Sequence, residues 1–332
     1  MLLAVGWGAN HFAALLPVYR KELALDASAP AILFGAYALG LVPGLLAAGA
    51  ISDRLGRRAV VLPAAMLALV ASCLLALGAE SFTALLAGRV LYGLAAGAVM
   101  TAGAVWVSEL SAEGGPRRAT IALSAGFGLG PLVTGLVAEL APAPTRTPFL
   151  VHAVLLAGAL ALAWSAPSPR SSSSAAREAA GGEAWRRFVR DVAWWAPVVF
   201  ALPTISFAGL PAAMGIGMTP ARLGTIAVLT LAAGVLVQPP SRQWTPRAAT
   251  WIGLGLGVVA IGAGAAVVAS RMPALLYLVA PLLGAAYGIC MTAGLRRVEQ
   301  IAPPAARGTM TGAYLVLTYV GFAAPYVMAR LF

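Results

Sequence analysis

Apolar runs about 20 residues long, free of charge and repeated along the whole chain, restrict what this sequence can fold into more than any other feature. At about 1.5 Å of rise per residue, a run of that length as a helix matches the hydrocarbon thickness of a bilayer. About eleven such segments are present. The first six are Leu2 to Tyr19, Ala31 to Ile51, Ala59 to Ala79, Phe82 to Val107, Ala119 to Leu140 and Pro148 to Ser165. The remaining five are Val192 to Met214, Leu223 to Val237, Ala249 to Ala269, Ala274 to Leu295 and Thr309 to Leu331. With 61% hydrophobic and 10% charged residues and a mean hydropathy of +0.88, a water-soluble globule would lack the polar surface it needs. The expectation is an all-α membrane protein whose main partner is the lipid bilayer.

The net charge of +11 would suggest nucleic acid in a soluble protein. Here the arginines stand in short clusters between apolar runs rather than on one periodic face, so they read as topology signals and no nucleic-acid partner is expected. Cys73 and Cys290 lie inside apolar segments without CxxC spacing, which predicts neither a disulfide framework nor a metal site. The chain enters its first apolar run at Leu2, without a basic leader or a cleavage site before Pro17, so that run is expected to be retained as a span. The abrupt beginning also suggests that the true start lies upstream.

A change in composition divides the chain. Residues 1–166 form the expected amino-terminal bundle of six helices. Residues 167–191, with Ser171 to Ser174, Gly181-Gly182 and five arginines, read as a cytoplasmic linker. Trp185 and Phe188 beside Arg186, Arg187 and Arg190 leave open a short amphipathic helix at its end. Residues 192–332 form the expected carboxy-terminal bundle of five helices. Fifteen of the 22 basic residues fall on one side of the alternating spans: Arg54, Arg57, Arg58, Arg117, Arg118, Arg170, Arg177, Arg186, Arg187, Arg190, Arg242, Arg247, Arg296, Arg297 and Arg307. Positive residues mark the cytoplasmic side. The amino terminus and the linker are therefore expected inside, in a multi-pass protein of the cell membrane.

The two halves echo each other. Gly93, Gly97 and Met100-Thr101-Ala102-Gly103 in the fourth span return as Gly284, Gly288 and Met291-Thr292-Ala293-Gly294 in the tenth. Gly49 and Arg57 have counterparts in Gly234 and Arg242, and Pro131 in Pro325. A parallel repeat explains the echoes, and in such an architecture the substrate site lies between pseudo-symmetric halves near the bilayer midplane.

Three ordered motifs sharpen the reading. After the second span stands Gly49-Ala-Ile-Ser52-Asp53-Arg54-Leu-Gly56-Arg57-Arg58. Asp53 supplies an acceptor for neighbouring arginines, and Gly56 permits a sharp reversal. This loop resembles the cytoplasmic signature of the major facilitator superfamily, which makes Gly49, Asp53, Arg54, Gly56, Arg57 and Arg58 a gating motif, with Asp53 expected to face the eleventh span from Arg307 to Thr311 when the cytoplasmic side is closed. The second copy departs from the pattern, with Gln238 where Asp53 would align and Pro239-Pro240 following. Arg89 with Gly93 and Gly97 is similar to the family's fourth-span motif. Gly126, Gly130, Pro131 and Gly135 in the fifth span look like the antiporter signature of the drug-export branches, with Thr134 in place of a usual glycine. The proline would bend the helix and the glycines would let it pack closely. The resemblance covers the whole chain, apparently without the family's twelfth helix, and implies a fold of two helical bundles, here six plus five.

Within that fold the substrate and coupling candidates are the polar or aromatic residues of spans one, four, seven and ten: Asn10, His11, Arg89, Tyr92, Thr204, Ser206, Phe207, Tyr287 and Thr292. His11 is the most pointed of them, since an imidazole titrates near neutral pH. Arg89 is costly in lipid and should face protein or water. No Asp or Glu lies deep in a span, and no GxxxxGK[ST] loop is present to bind ATP. No catalytic cluster, cofactor or metal ligand set is apparent, so an enzyme is not expected. The leading expectation is proton-coupled export of small hydrophobic or cationic molecules by alternating access. The competing readings are uptake of a metabolite or organic anion, with Arg89 as the anion contact, and a truncated membrane protein that transports nothing.

Overall fold

The computed structural model of the chain describes residues 1–24, 29–111, 115–167, 181–215, 217–303 and 306–331. Ten helices among them are long and apolar enough to cross a membrane. They are α1 (Leu2–Glu22), α2 (Ile32–Leu55), α3 (Arg57–Leu77), α4 (Phe82–Leu110), α5 (Arg118–Leu140), α6 (Thr147–Trp164), α7 (Gly182–Ala213), α8 (Pro220–Ser241), α9 (Pro246–Ser270) and α10 (Pro273–Ile301). A shorter apolar helix, α11 (Thr309–Ala323), runs on into α12 (Ala324–Leu331). Large apolar side chains cover the outside: Leu39, Val70, Val154 and Val258 are 58–74% exposed. The buried positions are instead rich in alanine. Such a surface is stable against lipid tails and not against water.

Two compact units divide the chain. The first comprises Met1–Ser174 and Gly217–Val228, and the second Ala175–Ile216 and Leu229–Phe332. The first turns of α8 therefore belong to the first unit. Residues 168–180 of the expected linker, including the serine run, lie outside the described residues. Gly182–Phe188 is helical and opens α7. Its Phe188 is buried in the second unit's core with Val192, Trp195, Val199, Ile289 and Tyr314, and Trp185 packs against that core.

The sequence repeat has a packing cause. In the first unit α2 crosses α4 at Gly93 and Gly97, where a Cβ on Gly97 would lie 2.5 Å from the Leu41 carbonyl oxygen and 3.0 Å from the Gly44 carbonyl carbon. In the second unit α8 crosses α10 at Gly284 and Gly288, where a Cβ on Gly284 would lie 2.9 Å from the Thr230 Cα. Small residues four apart let two backbones touch, which is the main source of helix adhesion where lipid supplies no hydrophobic drive.

Helices that carry candidate residues are irregular. α1 is interrupted at His11, between Leu2–Asn10 and Phe12–Glu22. α4 contains a wide π turn at Val99–Gly103, the first Met-Thr-Ala-Gly copy, whereas the second copy in α10 is regular. α7 has π turns at Val189–Ala193 and Ile205–Gly209 and carries Pro197, Pro203 and Pro211, each of which removes a helical donor. α2 and α3 are joined through Gly56 alone, whose φ of 91° and ψ of 150° fall in a region that side chains disfavour.

Candidate functional site

A buried polar cluster fills the centre of the first unit. Arg89 on α4, His11 on α1, His152 on α6 and Ser72 on α3 are all 0% exposed. Arg89 Nε donates to the Leu33 carbonyl (3.3 Å) and one terminal nitrogen to the Ala9 carbonyl (3.4 Å). Its guanidinium lies 4.4 Å from the Tyr37 ring centroid and 5.1 Å from that of Phe12. Carbonyls and aromatic faces together stabilise a cation that lipid would not. The other terminal nitrogen, Nη2, has no hydrogen-bond partner among the described residues.

His152 is fully engaged. Its Nε2 is 2.8 Å from the Ala4 carbonyl oxygen, which can only accept, so Nε2 carries the hydrogen. Nδ1 of the neutral ring then accepts from the Ser72 hydroxyl at 2.9 Å. Tyr92 donates to the Val5 carbonyl (3.1 Å) and sits 3.3 Å from the same Nε2. His11 is the opposite case: both ring nitrogens are buried without a hydrogen-bond partner among the described residues. Its ring packs edge-on to Phe149 (4.6 Å) and His152 (5.0 Å) and lies 6.0 Å from Tyr92. An unpaired buried polar group costs free energy, which sets His11 apart from its hydrogen-bonded neighbours in the cluster. Of the sequence candidates in this unit, His11, Arg89 and Tyr92 therefore come together, while Asn10 is partly exposed beside them.

The expected gating motif forms a polar network of its own. Arg57 pairs with Asp53 one turn earlier, with Glu109 at the end of α4 (3.1 Å), and donates to Ser52 Oγ (2.7 Å). Ser52 in turn donates to the Gly49 carbonyl (3.0 Å). Arg58 donates to the carbonyls of Trp164 and Ala166, tying the start of α3 to the end of α6. Arg54 is exposed.

In the antiporter-like motif, α5 lies against α1. A Cβ on Gly126 would meet Trp7 N at 2.8 Å, and one on Gly130 would meet the Trp7 carbonyl oxygen at 2.7 Å. Thr134, the departure from the family pattern, accepts from the Trp7 indole at 3.0 Å. Farther along, Gly135 faces Ala221 at the start of α8, and Glu139 accepts from the Ala221 N–H (3.0 Å), placing a carboxylate at a helix amino terminus. Pro131 faces Gly224 of α8.

The remaining candidates belong to the second unit. Thr204 donates within its own helix and lies 3.3 Å from the Gly321 carbonyl. Ser206 pairs with Thr230 at 2.7 Å, and Phe207 and Thr292 are buried. Tyr287 stacks on Phe200 at 5.7 Å, beside Tyr319 and Phe322. Sequence reasoning missed His152, Ser72 and Trp7. His152 could have been found, because it is one of two histidines in the chain and stands in a charge-free span. Attention to spans one, four, seven and ten passed over the sixth.

The chain resembles known transporters in sequence and in fold. Over 139 residues it is 30% identical to the quinolone resistance protein NorA of Staphylococcus aureus (strain Mu50 / ATCC 700699), covering 41% of this chain and 35% of that protein. Over 90 residues it is 38% identical to the multidrug resistance protein MdtL of Escherichia coli O139:H28, covering 27% of this chain and 23% of that protein. The chain thus matches about a third or less of the length of these curated relatives. The nucleoside transporter NupG superposes with a TM-score of 0.72 at 14% identity, covering 98% of this chain and 87% of that one. A bacterial homologue of the human lysosomal transporter Spinster gives 0.72 at 14%, covering 98% and 79%. A D-xylose–proton symporter gives 0.69 at 15%, covering 98% and 86%. At these identities the likeness is one of fold. The family description matches residues 1–325, nearly the whole length, and this chain belongs to the Major Facilitator Superfamily.

Proposed function

We propose that this chain is a secondary active transporter that exports small hydrophobic or cationic molecules by alternating access, driven by protons. The observation that carries the reading is His11, a buried imidazole with two unpartnered nitrogens on the helix that packs against the antiporter-like motif. A charge added to His11 has no counter-charge in the cluster, so movement of α1 against its neighbours is the way to relieve its cost. That couples a proton to a conformational change. Part-length similarity to proteins named for quinolone and multidrug resistance supports export rather than uptake. Asp53 with Arg57 is the gate, on the arginine-rich side, which is cytoplasmic under the positive-inside rule.

The test is accumulation of labelled hydrophobic cationic dyes in cells of a bacterium lacking its own exporters. Cells expressing the chain should hold less dye than empty cells, and an uncoupler or Asp53→Asn should abolish the difference. Greater accumulation than in empty cells would reverse the assigned direction. No difference, with insertion in the membrane confirmed, would refute export of this class of molecule.

A further inference from the structure

Three arginines meet at one end of the second unit, outside the gating and antiporter-like motifs. Arg190 in the first π turn of α7, Arg247 at the start of α9 and Arg297 near the end of α10 line a cavity of about 530 Å³. Asp191 is the acid among its lining residues, and it accepts from Arg190 (2.8 Å) and Arg297 (2.5 Å). Arg247 forms no ion pair among the described residues, so three guanidinium groups face one carboxylate. Trp194 and Trp251 form the apolar wall, with ring centroids 6.2 Å apart. They are 58% and 60% exposed.

The start of α9 adds to the positive field. Thr245 caps the helix by accepting from the Ala248 N–H (3.2 Å), and Pro246 has no N–H to donate. The Arg247 N–H therefore points out of the first turn of a 25-residue helix, whose dipole favours an anion there. Below the tryptophans, Val258 stands seven residues on from Trp251 and Val259 beside it, 72% and 65% exposed. Exposed tryptophans at a helix end mark the membrane interface, and the valines continue an apolar path into the hydrocarbon.

A basic cavity at interface depth, walled by tryptophan and opening onto an apolar helix face, has the chemistry of a site for one molecule with an anionic phosphate head and a hydrocarbon tail. We propose that it binds the headgroup of an anionic phospholipid. The phosphodiester lies among Arg190, Arg247 and Arg297, and an acyl chain lies along α9 over Trp251 and Val258. A soluble phosphate would share the head chemistry but would not use the apolar path. Basic pockets between membrane helices take anionic headgroups for these reasons.

The experiment is native mass spectrometry of the full chain in detergent, titrated with phosphatidylglycerol, with phosphatidylcholine, and with phosphatidylglycerol in the presence of inorganic phosphate. The wild type should retain phosphatidylglycerol over phosphatidylcholine. The double variant Arg190→Gln/Arg247→Gln should bind it roughly tenfold more weakly or worse. Arg271→Gln, at the other end of α9, should bind as the wild type does. Should the double variant fail to fold, Arg247→Gln alone, which breaks no ion pair, is expected to weaken retention in the same direction. Equal retention of the two lipids, or undiminished binding in the variants, would overturn the proposal. Displacement of the lipid by millimolar inorganic phosphate would also overturn it, by assigning the cavity to a soluble anion.

Discussion

His11 and His152 are the same residue type 5.0 Å apart, but only His152 has hydrogen-bond partners among the described residues. His152 joins α6 to α3 and α1 through Ser72 and the Ala4 carbonyl. Replacing it with Phe removes both bonds and leaves the buried Ser72 hydroxyl without its cross-helix partner, at a cost of about 1–3 kcal/mol. His152→Phe should therefore lower the thermal unfolding midpoint in detergent. His11→Phe should leave that midpoint unchanged or raise it, because His11 has no hydrogen bond to lose and sits among aromatic rings. Yet His11→Phe should abolish uncoupler-sensitive export in the dye assay. A large destabilisation by His11→Phe would mean that the residue is structural. The sequence marks His11, Arg89 and Tyr92 by their polarity inside apolar spans. It does not mark Ser72, since a lone serine in a membrane helix most often bonds its own backbone. Hydrogen-bond partnership, which separates the two histidines, exists only after α1, α3 and α6 have packed.

At the scale of the helix, glycine spacing carried most of the legible information. The repeat of Gly93 and Gly97 as Gly284 and Gly288 is readable in the sequence, and the two crossings explain why it persists. Gly97→Ala places a methyl against the backbone of α2, which cannot yield as a flexible side chain can. A loss of about 1–3 kcal/mol follows, seen as a lower unfolding midpoint. The matching change Gly288→Ala should act alike in the second unit. Gly56→Ala meets a different obstacle, a backbone conformation costing about 1–3 kcal/mol for a residue with a side chain. It should lower the unfolding midpoint through backbone strain. The helices themselves were legible because hydropathy and length report directly on lipid as solvent. The irregular turns of α4 and α7 were less so. Pro197, Pro203 and Pro211 announce a disturbed α7, but α4 has no proline between Phe82 and Leu110 to announce its π turn.

For the molecule as a whole, the proposed orientation puts the arginine-rich ends of the helices in the cytoplasm. Arg54→Cys should then resist a membrane-impermeant thiol reagent in intact cells, and Arg271→Cys should react with it. The opposite labelling pattern would invert the orientation. Whether protons drive export through His11 is decided with the purified chain in sealed liposomes under an imposed pH gradient. A labelled hydrophobic cation should move against the proton flow in liposomes holding the wild-type chain. His11→Gln should retain binding of the cation but lose the movement. Transport that proceeds equally without a gradient, or that survives unchanged in His11→Gln, would rule out proton-driven export through His11.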